Sequence, residues 1–86
     1  MHTLAKQIHN ITPKDVQLTF ENDSTVILEM RSAEFFQEAF QAEGVGPDGE
    51  TYRLVTDGDD DPLVAGRESG DGWVTVGTVV AVEPAG

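Results

Sequence analysis

Residues 15–30, DVQLTFENDSTVILEM, limit the possible folds more than any other stretch of the chain. Val16, Leu18 and Phe20 alternate with polar residues, Glu21 to Ser24 are turn formers, and Val26, Leu28 and Met30 resume the alternation. Side chains on a strand point to opposite faces in turn, so each set lies on one side of its strand. The segment therefore predicts a hairpin with one buried face. An isolated hairpin is marginal in water, so the rest of the chain has to supply strands that cover that face.

It offers several. WVTVGTVVAVEP reads as a closing strand, with Gly77 at a bulge or sharp bend and Pro84 ending the pairing. Val79, Val80, Ala81 and Val82 are continuously apolar, which predicts cover on both faces. DPLVAGRES supplies a short edge strand at Leu63 to Ala65, followed by a turn at Gly70-Asp71-Gly72. Ahead of the hairpin, HTLAKQIHNI sets Leu4, Ala5, Ile8 and Ile11 on one helical stripe; Thr3 is the expected N-cap and Thr12-Pro13 the stop.

Residues 32–45, SAEFFQEAFQAEGV, admit two readings. Ser32 as N-cap, the Ala, Glu and Gln content and Gly44 as C-cap describe a helix over 32–43. Against it, Phe36, Phe40 and Ala42 share one alternating face, and Pro47-Asp48-Gly49 is a turn that leads into ETYRLVT. The extended reading is preferred. The expectation is a single domain over 1–86, mainly β, with an N-terminal helix at 1–12 and a β-rich body at 15–83. The alternative is an α+β fold with a second helix at 32–43.

A helix followed by five or six short strands, the last one bent at Gly77, resembles the small SH3-like and Sm-like barrels. That resemblance implies protein association or RNA binding. Sm-like proteins read RNA with an Asp-x-x-Asn loop and an Arg-Gly dipeptide before the last strand; the corresponding segments here are Ser32-Ala33-Glu34 and Gly66-Arg67, in inverted order.

Charge narrows the partners. The 86 residues hold 16 Asp and Glu against 5 Lys and Arg, a net charge of -11. The carboxylates are dispersed and only Lys6 and Lys14 are lysines. This composition resembles that of proteins from extreme halophiles such as the haloarchaea, and it implies an acidic, halophilic surface clothed in solvent cations. Phosphate neutralisation, the main source of nonspecific nucleic-acid affinity, is poorly served. Lys6, Lys14, Arg31 and Arg53 are the candidate nucleic-acid contacts. The chain has no cysteine, hence no disulfide or thiolate chemistry. No apolar run reaches the length of a membrane span, and the N-terminus has no signal-like pattern, so a cytoplasmic protein without membrane contact is expected.

TDGDDDPLVAGRE carries Asp57, Asp59, Asp61 and Glu68 at relative positions 1, 3, 5 and 12 of a calcium-binding loop. Pro62 stands where the loop needs Gly, and strand and turn patterns replace the flanking helices. A hydrated acidic loop is the preferred reading and a cation-binding module the alternative. His2 and His9 lie roughly 10 Å apart on a helix, too far to share a metal. GVGPDG spells a glycine-rich phosphate motif, but it is a hairpin turn with no helix after it. No catalytic residue and no cofactor is nominated, and the expected function is a non-enzymatic protein-interaction or assembly module. Leu4, Ile8, Ile11 and Trp73 are the candidate contacts with a protein partner or a second copy. Molar salt shrinks the Debye length to about 3 Å and screens the self-repulsion of such a chain, so its urea midpoint should rise between about 0.1 M and about 2 M KCl. An unchanged midpoint would contradict the reading of salt adaptation.

Overall fold

The structure is a computed structural model that describes residues 2–58 and 60–85. Among these the chain forms one helix, α1 (Thr3–Ile11), and six strands: β1 (Asp15–Phe20), β2 (Thr25–Phe36), β3 (Ala39–Val45), β4 (Thr51–Thr56), β5 (Val64–Ser69) and β6 (Gly72–Pro84). Each strand pairs antiparallel with the next, and β6 returns to β1, closing a barrel. Residues 32–43 are extended and hairpin-forming, so the α+β alternative does not hold.

Closure depends on the two long strands. β2 pairs with β1 through Thr25 to Glu29 and with β3 through Glu29 to Phe36. β6 pairs with β5 from Gly72 to Thr78 and with β1 from Val79 to Pro84. Each long strand thus exchanges one neighbour for the other along its length, and extra residues mark the bends: Arg31 in β2, Val76 and Val80 in β6. A bulge turns the strand and resets its alternation. Accordingly the inward set on β2 is Leu28 and Met30 before Arg31, and Ala33 and Phe35 after it.

Fourteen buried apolar residues form the core among the described residues, including Val16, Leu18, Leu28, Leu54, Leu63 and Phe40. The backbone packs closely at Gly44: a Cβ there would lie 3.1 Å from Met30 Sδ and 3.2 Å from the Glu29 carbonyl oxygen, so its neighbours would have to give by a few tenths of an ångström. Turn chemistry follows the sequence. Asn22 Oδ1 accepts from the Ser24 amide, Asp23 takes a φ of 69°, and Gly49 and Gly70 take φ of 81° and 58°.

α1 lies across the barrel end formed by the β2–β3 turn, the β4–β5 loop and the C-terminal end of β6. Ala5 and Ile8 are fully buried, and Leu4 and Ile11 pack partly against the core. His9 meets Phe35 in a tilted ring contact at 5.5 Å, and Phe35 in turn meets Phe40 at 4.8 Å. The apolar stripe of the helix therefore serves the chain's own core.

Four expectations need correction. The N-cap is His2, with Thr3 the first helical residue; His2 Nδ1 accepts at long range (3.5 Å) from the Ala5 amide. Phe36 is exposed and Phe35 takes the inward position. The reason is the turn of two residues, Gln37 and Glu38, which sets Phe36 opposite Ala39 and Phe35 opposite Phe40, and directly opposed residues share a face. Val79 and Val82 are buried but Val80 is 51 % exposed, because the bulge at Val80 carries it out of the alternation. Finally, β5 runs to Ser69 and is paired on both sides, so it is no edge. Replacing Ile8 by Ala should cost about 2–5 kcal/mol, as for a truncated core aliphatic. Lys6→Ala on the exposed side of α1 should stay within about 0.5 kcal/mol. Urea unfolding in molar KCl checks both.

Candidate functional site

The outer face of β4, β5 and β6 brings together features that are distant in sequence. Leu54 and Ala65 point inward, which sends Arg53, Val55, Val64 and Gly66 outward. Register then sets Arg53 opposite Gly66, and Gly66 opposite Thr75. Gly66 has no side chain to fill this row, and the ring of Trp73 lies diagonally alongside: a Cβ on Gly66 would be 3.9 Å from Trp73 Cε3. The result is a shallow groove of about 160 Å³ lined by Arg53, Val55, Val64, Gly66 and Trp73.

Arg53 spans the groove. Its guanidinium carbon is 4.5 Å from the Trp73 ring centre, and Nη2 donates to Glu43 Oε1 at 3.2 Å. Such a half-exposed ion pair adds about 0–1 kcal/mol and the cation–π contact about 0.5–1 kcal/mol, enough to orient Trp73 without immobilising it. Seven large apolar residues are exposed among the described residues, and four of them, Trp73, Val74, Val76 and Val80, belong to β6. Val55, across the groove, is a fifth. Trp73 was legible from its place after a glycine turn. Arg53 as its partner was not, because the contact depends on the registers of two strand pairs.

The other candidate residues are dispersed. Lys6 and Lys14 are exposed at the helical end of the barrel. Arg31 pairs with Glu29 at 3.3 Å, and Arg53 faces Glu43 and Trp73. Arg67 Nε lies 3.0 Å from Glu50 Oε2, close enough for charge pairing, although its N–H is misaligned for a hydrogen bond. All three arginines thus have a carboxylate beside them, and the candidate nucleic-acid contacts do not converge.

The acidic loop does not assemble a calcium site of the form its spelling suggests. Asp57 and Asp61 flank the β4–β5 turn, whereas Glu68 pairs with Trp73 near the opposite end of β5. Glu68 is four positions beyond Val64, a rise of about 13 Å along the strand. Asp59 lies outside the described residues. What organises the loop is Thr56, buried, whose hydroxyl lies within hydrogen-bond reach of the carbonyls of Gly58 and Asp61. His2 Nε2 donates to that same Asp61 carbonyl at 2.9 Å, tying the start of α1 to the loop. Among the described residues no group of three or more His, Cys, Asp or Glu side chains is placed to hold a metal, and no helix is long and apolar enough to cross a membrane. Calcium titrated into the protein in about 2 M KCl, where weak charge attraction is screened, should give no saturable micromolar binding by calorimetry.

No curated protein and no solved structure matches the chain. A family model does, over residues 1–86, and the chain belongs to that family, described as a domain of unknown function (DUF8072).

Proposed function

We propose that this domain is a non-enzymatic protein-association module, adapted to a cytoplasm of high salt, that binds through the outer face of β4, β5 and β6. The observation that carries this reading is the apolar groove that joins exposed Trp73 to exposed Val55 beside Arg53, on a chain of net charge -11. Exposed apolar surface gathered on one face marks interaction sites, and Trp and Arg are the residue types that most often anchor them. A face made by three paired strands is also rigid, so little ordering has to accompany binding.

Nucleic-acid binding through an SH3-like or Sm-like surface has less support. Trp73 could stack a base, but Arg53 already lies against its ring and Glu43 stands behind. A cation-binding role for the acidic loop has only Asp57 and Asp61 of its four nominated ligands near one another, since Glu68 lies at the far end of β5 and Asp59 is outside the described residues.

Immobilised domain should retain specific proteins from an extract of its source organism in about 2 M KCl, where attraction between charges is screened and apolar contact remains. Trp73→Glu should release those proteins while the far-UV circular dichroism stays unchanged. Identical retention by the two would count against the assigned face, and retained material absorbing mainly at 260 nm would favour nucleic acid.

A further inference from the structure

A second feature of β6 bears on what it can pair with. Gly72 to Thr78 pair with β5 on one side, and β1 joins the other side only from Val79 onward. The last backbone contact there is the Glu21 amide donating to the Thr78 carbonyl at 3.0 Å. Between Trp73 and Val76, the backbone groups that point away from β5 have no neighbouring strand among the described residues. Closure of the barrel thus leaves a short free edge, with Trp73, Val74 and Val76 all exposed along it.

Natural proteins usually guard such an edge with charges, proline or a bulge. Here a bulge stands at Val76, but from Gly72 to Thr75 the pairing with β5 is regular. No charge guards it: residues 72–82, GWVTVGTVVAV, contain no ionisable side chain, and this is the longest such run in the chain. Asp71 and Glu83 bound it on either side.

We infer that two copies of this chain pair antiparallel through the free edge of β6 about a two-fold axis at Val74, joining their sheets. This rests on the association reading above and names its partner. Two bodies of charge -11 repel over most orientations, and the uncharged seam is where a second copy meets least repulsion. A two-fold contact is self-complementary, each copy offering the same strand. Pairing about Val74 sets Trp73 against the partner's Thr75 on the outer face. The flanking Glu68 and Asp71 carboxylates of the copies approach one another, so pairing strengthens as salt screens them.

The test uses the full chain, which has no cysteine, so one introduced thiol reports a single position. Directly opposed residues of an antiparallel pair stand about 4.5–5.5 Å apart at Cα, inside the range that a disulfide spans. Val74→Cys should therefore cross-link on mild oxidation at least about tenfold faster than Val80→Cys, whose residue is equally exposed but lies where β6 pairs with β1. Light scattering should give a dimer mass for the unmodified chain in about 2 M KCl and a smaller average mass at about 0.1 M. Val74→Glu should be monomeric with an unchanged circular dichroism spectrum. A monomer at every salt concentration, or equal cross-linking at the two positions, overturns the pairing. Retention of other proteins that is lost in Trp73→Glu would leave the association reading standing without it.

Discussion

The architecture depends on the ability of two strands to serve two neighbours each. β2 and β6 are about twice as long as the others, and each exchanges one partner for the next midway along its length. Bulges at Arg31, Val76 and Val80 make that exchange by turning the strand and shifting which residues face inward. A regular strand would have kept one face throughout and left the sheet open. Instead six short ladders enclose Leu18, Leu28, Leu54 and Phe40, and the helix has only one end of the barrel to cover.

Much of this was written locally. The alternation of Val16, Leu18 and Phe20, the turn at Asn22 to Ser24 and the Pro47-Asp48-Gly49 reversal are short-range signals, and each appears where expected. Two of the errors share a cause. Phe35 and Phe36 exchange roles because of a turn of two residues, and Val80 turns outward because of a bulge. A shift of one residue inverts every assignment beyond it, and it costs the pattern almost nothing in hydrophobicity. The tie of His2 to the acidic loop was not legible for another reason: its partner there is the Asp61 carbonyl, fifty-nine positions away.

The candidate site shows the same division. An exposed Trp73 could be anticipated from the glycines before it, since a large aromatic beside a turn has little core to enter. The groove could not, because it exists only when β5 places Gly66 between Arg53 and Thr75. Outer-face glycine is usually a weakness in a sheet, and here the neighbouring indole partly covers the gap. The carboxylates mislead in the opposite direction. A ligand-like spacing along the sequence implies nothing when a strand carries Glu68 away from Asp57 and Asp61.

The pairing of the arginines bears on how the domain meets other molecules. Arg31, Arg53 and Arg67 each lie beside a glutamate of their own chain, so little positive charge is left to attract a visitor over distance. The long-range field is negative in most directions. Orientation on approach is then governed by exclusion: acidic neighbours are turned away from every face except the one with nothing to repel them. Steering of this kind speeds no encounter, unlike attraction between opposite charges, but it removes most of the wrong ones.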